Sequence, residues 1–442
     1  MAEHDPGQLL PTRPVDRLSR RFEHFLHVES ASGVALLGAT ALALILANSP
    51  LGDAYQAFFD RKLHVGVGDA ELRYPLWYWI NDALMVIFFF VIGLEIKREL
   101  VMGELRDRKQ VVLPVAAAAG GAAVPVAIFF VFGPEGAARD GWAIPMATDI
   151  AFVVGCLALM GDRVPRGLKV LMLALAIVDD IFAVLIIAVF YSAGIELWFL
   201  AGAAAGFGGI WLLNRLGVRT VPAYIAVGAV IWLFTLKSGV HPTVAGVLLG
   251  LLTPTSAFVG QTTFLDVLDA ATRRLRGEDT SPSRDPEAID QITFAAKEAL
   301  APIERLERDL HPWVAFFIMP VFALANAGVQ LELGTITEPL SLAVAAGLVL
   351  GKPLGITAAA LLVVALGWAR LPDGVGRWSL LGGGCLAGIG FTMALFIASL
   401  GLEGELLASA KAGVLLGSLV SAVLGFAILL RSLPRGGPER AT

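Results

Sequence analysis

The chain has 442 residues, 57% hydrophobic and 16% charged, with a formal net charge of -5. Soluble domains run near about 25% charged, so this chain cannot cover itself with enough polar surface to be globular in water. Apolar runs long enough to cross a bilayer recur from residue 31 to 430, with charges gathered between them. That excludes a soluble enzyme on a single anchor, and equally a porin-type barrel of alternating strands. The composition predicts an all-α polytopic membrane protein.

In chain order, residues 1–30 are charged and carry no signal-peptide core. They predict a cytoplasmic segment with an amphipathic helix around Asp16 to Val28. A membrane domain follows over 31–430, with twelve spans near 31–49, 78–96, 111–132, 142–160, 166–191, 196–213, 221–236, 240–253, 312–331, 341–367, 379–400 and 405–430. The segment 240–253 is short for a crossing. Within the outer loop at 62–75, Leu63 to Tyr74 alternates around Gly68-Asp69 and predicts a β-hairpin. Residues 254–311 form a polar cytoplasmic insert, predicted as disordered over 277–286 and as one amphipathic helix from Pro286 to Asp309. A short cytoplasmic tail occupies 431–442. Cys156 and Cys385 both lie in apolar runs, which argues against a disulfide framework.

Orientation follows from lysine and arginine. With twelve spans, the side holding both termini carries 26 of the 33, the opposite side 5, and Lys352 and Lys411 fall inside spans. The bias predicts cytoplasmic termini.

Charge inside a bilayer is costly, about 2.5–3.5 kcal/mol per residue on insertion scales, so each such residue is a functional candidate. Asp149, Asp179, Asp180 and Lys352 stand out. Helical rise places Asp149 about 12 Å, Asp180 about 21 Å and Lys352 about 18 Å from the ends of their spans, all in the middle third of the core. Carboxylates with the Thr148 hydroxyl and backbone carbonyls make a hard oxygen site for a small alkali cation or a proton. Adjacent residues on a helix point about 100° apart, so one of Asp179 and Asp180 can hold a cation while the other meets Lys352. Two coupled carboxylates of this kind exchange protons for a cation as pH changes. The bland alternative is a static buried ion-pair network, although the acids outnumber the lysine.

Helix interruption is a second signal. Pro145 precedes Asp149 in GWAIPMATDIAF, and Gly382, Gly383, Gly384, Gly388 and Gly390 weaken the first half of the eleventh span. Each feature alone is as often a kink or a packing contact. The two spans lie seven apart and therefore run in opposite directions. Spans 3–5 and 10–12 are thus candidates for an inverted repeat with interrupted, crossing helices at a midplane transport site. Asp149 at helix N-terminal ends and Lys352 at C-terminal ends would offset the helix dipoles.

Seven stretches run in order along nearly the whole chain: INDALMVIFFFVIGLEIKREL at 80–100, ATDIAFVVGCLALMG at 147–161, LALAIVDDIFAV at 173–184, LKSGVHPTVAGVLLG at 236–250, LHPWVAFFIMPVFALANAGV at 310–329, GKPLGI at 351–356 and GIGFTMALFIASL at 388–400. Together they resemble the NhaA-type sodium/proton antiporters. The insert at 254–311 looks longer than is usual for that family.

The resemblance implies a secondary transporter, not an enzyme, needing no cofactor, in the bacterial inner membrane. Its cargo would be sodium or lithium and protons. Asp179 and Asp180 would alternately bind sodium and protons, and Lys352 would pair with Asp179 in the proton-loaded state or neutralise the helix crossing. Asp149 and Thr148 would shape that crossing, and Asp82 would lie by the translocation funnel. Glu95, Lys97, Arg98 and Glu99 would form the cytoplasmic cluster for pH activation, although a positive-inside flank also produces such a run. His241 would join them in pH regulation, as histidine is the side chain suited to that range, but a lone histidine at a span end is more often structural. The 63–74 hairpin would be a homodimer contact, and no nucleic-acid partner is expected. The expected cycle is alternating access, with the 3–5/10–12 bundle moving against the other helices and two protons entering per sodium leaving. Competing readings are a cation-coupled symporter of an organic solute, an intramembrane aspartyl protease (whose GxGD pattern is absent here), and a purely structural or receptor role.

Overall fold

A computed structural model describes residues 29–433 apart from 68–69, 108–109, 193, 219–220, 277–285 and 331. The expected Asp16–Val28 helix, the Gly68-Asp69 turn, nearly all of the segment expected to be disordered, and most of the tail lie outside the described residues. Among the described residues seven helices are long and apolar enough to cross a membrane: Leu76–Val101, Val112–Val131, Arg166–Phe190, Leu197–Arg215, Pro302–Asn326, Pro339–Ala365 and Gly404–Ser432. Three bent pairs raise the number to as many as ten. Pro222–Lys237 and Pro242–Leu252, in the places of the expected seventh and eighth spans, are shorter apolar helices.

The contacts divide the chain into two units. The first holds the residues up to Trp77, Leu113–Asp179 and those from Ala315 onward; the second holds Tyr78–Val112 and Asp180–Val314. The division passes between Asp179 and Asp180, in the middle of the unbroken helix Arg166–Phe190.

In the first unit, helix Glu29–Ala47 packs on Ile150–Leu159 and on Met319–Asn326. The first helix and the later half of Pro302–Asn326 therefore belong to the same unit as the two broken helices. After Ala47 the chain turns by 117° into the short helix Gly52–Phe59. Tyr55 donates to the Leu324 carbonyl, and Asn48 Nδ2 donates to the Val329 carbonyl at 2.8 Å, which ties that corner down. Strands Lys62–Val67 and Ala70–Pro75 then pair antiparallel, in register from Lys62↔Pro75 to Val67↔Ala70. The helix Gly404–Ser432 lies along Arg377–Ala387 and Pro339–Ala346. It comes close enough that a Cβ at Gly413 would stand 2.4 Å from the Ser341 carbonyl. Small residues allow this approach where burial of apolar surface gives helices in lipid no reason to associate.

In the second unit, Met85–Val101 packs against Pro242–Leu252 through interlocked glycines. A Cβ at Gly93 would meet the Val247 carbonyl at 2.5 Å, and one at Gly246 the Val86 carbonyl at 2.4 Å. The insert is more ordered than its sequence suggests. It opens with a helix over Gln261–Arg276 that polarity alone did not reveal. The single helix expected from Pro286 to Asp309 is instead two, Pro286–Glu298 and Pro302–Trp313. Pro302 has no amide hydrogen and its ring forbids a helical residue before it, so Ala301 is extended at φ -61°, ψ 141° and a new helix starts. That helix runs on into the membrane, so the ninth span begins about ten residues before the expected 312. Its first turn is seated by Ile303, which with Ala301 packs on Leu94.

Among the described residues three π-helical stretches interrupt the spans: Trp79–Leu84, Val314–Ile318 and Gly347–Gly351. Such wide turns recur at functional sites. Asp82 lies in the first, and Lys352 directly follows the third.

Candidate functional site

The site is built on two breaks in the first unit. Gly136–Met146 is a 3-10 helix ending after Pro145, and Ile150–Leu159 resumes as an α-helix bent by 41°. Between them Ala147 and Asp149 are extended. Arg377–Ala387 and Phe391–Gly401 are likewise bent by 44° across Gly388-Ile389-Gly390. The glycines are required by proximity: a Cβ at Gly390 would lie 2.9 Å from the Ala147 carbonyl, and one at Gly388 2.5 Å from that of Leu348.

Each break supplies what the other lacks. The Asp149 N–H donates to the Ile389 carbonyl at 2.7 Å, and the Thr148 hydroxyl donates to the Ala387 carbonyl at 2.8 Å. The Asp149 carboxylate caps its own helix by accepting from Phe152 N at 3.3 Å. Its other oxygen accepts from Thr392 N at 3.1 Å and from the Thr392 hydroxyl in a very short bond. One buried carboxylate thus meets the N-terminal ends of two half-helices, whose partial positive charge favours an anion. Phe152 and Phe391 pack edge to face over the junction, with centroids 5.1 Å apart.

Asp179 and Lys352 form a direct pair. Lys352 Nζ donates to Asp179 Oδ2 at 2.7 Å, and the two side chains are 0% and 2% exposed, so neither charge is solvated by bulk water. Asp179 Oδ1 is buried and has no hydrogen-bond partner among the described residues. The carboxylate is therefore half-satisfied, with one oxygen held by the ammonium and the other making no hydrogen bond. Asp180, the next residue of the same helix, is also buried.

In the second unit, His241 Nε2 stands 3.3 Å from Asp82 Oδ1. Its Nδ1 stands 2.7 Å from the Thr243 hydroxyl, and the ring caps helix Pro242–Leu252. The structure thus brings His241 beside Asp82. Residue 82 precedes 95–99 by 13 to 17 positions on one span, a rise of about 20–25 Å, so the two groups lie near opposite ends. In the cluster itself, Arg98 bonds Glu307 at 2.6 Å and reaches Glu99 at 3.5 Å, while Lys97 Nζ donates to the Thr253 carbonyl at 2.6 Å. Glu95 lies one turn earlier, partly buried. A 580 Å³ cavity lined by Glu99, Met102, Gly103, Arg106, Asp107 and Gln110 adjoins it.

Two residues of these sites were not singled out from sequence. Thr392 sits two positions after Gly390, in a stretch otherwise read as helix-breaking. An inverted repeat ought to carry a polar partner for Thr148-Asp149 there, and that was the available signal. Glu307 was hidden by its charged neighbours, which read as a solvated face.

Comparison with known proteins bears on this arrangement. The family model described as Na+/H+ antiporter 1 matches residues 23–429. The chain is 50% identical to Na(+)/H(+) antiporter NhaA 2 of Sorangium cellulosum, covering 96% of this chain and 92% of that one. It is 47% identical to Na(+)/H(+) antiporter NhaA of Rhodopirellula baltica, with 96% and 97% covered. Against the NhaA of Oleidesulfovibrio alaskensis it is 46% identical with both chains fully covered. Two broken helices joined at one acid, a buried acid–lysine pair and this match along the membrane domain agree, and the chain belongs to the Na+/H+ antiporter 1 family, which consists of secondary transporters and not enzymes.

Proposed function

We propose that this chain expels sodium, and accepts lithium, in exchange for protons at a site centred on Asp179 and Asp180. The observation that carries the reading is the half-occupied Asp179 carboxylate, with Lys352 on one oxygen and no partner on the other. A proton or a desolvated alkali cation satisfies the open oxygen, and either one competes with the ammonium for the carboxylate's charge. Asp180, adjacent and buried, supplies the second exchangeable acid. Asp149, Thr148 and Thr392 hold the two breaks together as a crossing, so the half-helix ends keep their aim while the cargo changes.

Two acids that both reload carry two protons inward per sodium outward, one net positive charge per cycle. With the inside negative by 100 mV that charge adds about 2.3 kcal/mol to extrusion. The cycle proceeds by alternating access about this site. Both termini face the cytoplasm of a bacterial inner membrane, as the 26:5 lysine and arginine bias supports, and twelve segments cross it. The hairpin pairs two copies of the chain. Glu95, Arg98, Glu99 and Glu307 set the response to cytoplasmic pH, and the Asp82–His241 pair braces the outer end of the second span. Nothing in the site or among the relatives favours an organic-solute symporter.

The test is sodium-driven proton movement in everted vesicles, in wild type and in Asp180→Asn. Wild type should respond above pH 7 and the variant should not. Silence in wild type would end the antiporter reading, and a response that survives Asp180→Asn would end the site assignment. Exchange that moves no net charge in proteoliposomes would end the two-proton version.

A further inference from the structure

The helix carrying Lys352 is pressed against prolines and neighbouring backbone along a single face. Gly347, Gly351 and Gly355 recur every four residues. A Cβ at Gly347 would lie 2.5 Å from Pro145 Cβ, one at Gly351 2.5 Å from Pro125 Cα, and one at Gly355 2.1 Å from the Gly120 carbonyl oxygen. The contact is reciprocal, since a Cβ at Gly120 would lie 2.3 Å from the Gly355 carbonyl oxygen. The nearest atom on each side is backbone, and the side-chain atoms beside it are the Cβ atoms of Ala359 (2.5 Å from a Cβ at Gly120) and Val124 (3.0 Å from one at Gly355), which have no flexible end to yield. Gly121, the next residue, faces the lysine itself: its Cβ would stand 2.8 Å from Ile356 Cγ1 and 3.8 Å from Lys352 Cδ.

The π-helical turn over Gly347–Gly351 ends directly before Lys352 and sets the rotation at which the side chain leaves the helix. Gly355 lies three residues later, on nearly the same side. Lys352, whose ammonium bonds Asp179 at 2.7 Å, thus leaves a helix held close to Val112–Val131 at Gly120, Gly121 and Gly355.

We propose that Gly120, Gly121 and Gly355 are positioning residues, whose close helix contact sets how strongly Lys352 competes with sodium for Asp179. The proposal rests on the sodium-binding role assigned to Asp179 above. A lysine pulled back from the carboxylate competes less, so sodium binds more tightly while the remaining machinery is untouched.

The experiment measures apparent sodium KM and turnover of the full chain in proteoliposomes at one fixed alkaline pH. Gly355→Ala and Gly120→Ala should lower KM by at least about threefold with turnover kept within about twofold of wild type. Gly33→Ala, where a Cβ meets nothing within 4 Å, should change neither. Should the backbone clash prevent assembly, Gly121→Ala decides, because the atom in its way belongs to a side chain. It should lower KM, and Gly121→Ala/Ile356→Ala should restore the wild-type value. A KM that stays put or rises in the variants that assemble, or a fall that Ile356→Ala does not reverse, overturns the proposal. A merely structural role would reduce turnover or yield and leave KM where it was. Wild type without sodium-driven proton movement would instead end the functional reading on which the proposal depends.

Discussion

Asp149 and Asp179 are equally buried acids of the same unit, yet their surroundings differ in kind. Asp149 accepts from Phe152 N, Thr392 N and the Thr392 hydroxyl, so both its oxygens are held by neutral donors at helix ends. Asp179 has a lysine on one oxygen and, among the described residues, no hydrogen bond on the other. A satisfied carboxylate resists change, because any new partner must displace a bond that already exists. A half-satisfied one can be completed by whichever small cation arrives. The difference makes Asp149 a joint between two helix starts, and it is why the proposed function places the exchange at Asp179 and not at Asp149.

The largest expected effect removes the lysine. Lys352→Ala leaves the Asp179 charge buried without its partner and should cost about 3–5 kcal/mol, seen as a large fall in Tm in detergent. An unchanged Tm would show that water or another cation already serves Asp179. Next comes the joint. Asp149→Ala removes the acceptor from two helix starts and should cost about 2–3 kcal/mol, whereas Asp149→Asn, which keeps an acceptor oxygen, should recover more than half of that in the same assay. Equal losses would mean that charge, not capping, matters at Asp149, and the contrast with Asp179 would disappear.

A smaller effect follows from Thr392→Val, which deletes the hydroxyl donor and leaves the N–H bond. The loss of one bond to a charged acceptor should be about 1.5 kcal/mol, with sodium-driven exchange retained. Abolished exchange with a normal Tm would move Thr392 from joint to ion path. Smallest is His241→Ala, which removes a helix cap and should cost about 1 kcal/mol. Its pH profile of exchange should match wild type if the ring is a brace; a displaced profile would return His241 to the regulatory group.

Much of the candidate site was legible because charge is scarce in an apolar chain. Asp149, Asp179, Asp180 and Lys352 were visible as exceptions, and Pro145 with Gly388 and Gly390 marked where the helices fail. What stayed hidden was partner identity. Thr392 is one hydroxyl in an apolar run, and a threonine there is equally at home bonding its own helix. Glu307 is one acid among Glu304, Arg305, Arg308 and Asp309, and nothing local says that Arg98 will meet it. His241 and Asp82 are 159 positions apart, beyond the reach of any periodicity argument.

The sequence by itself determined the solvent, the helical class, the places where helices break and which acids would be buried. Those follow from residue-by-residue costs: apolar transfer, the missing amide hydrogen of proline, the price of charge in hydrocarbon. Tertiary structure alone decided which oxygen of Asp179 is taken, that a single acid joins two half-helices, and that the insert splits at Pro302 and docks on Leu94. It also decided that the first helix packs with the broken-helix unit. These depend on backbones approaching to within the space of a missing Cβ, and such distances exist only once separate segments have met.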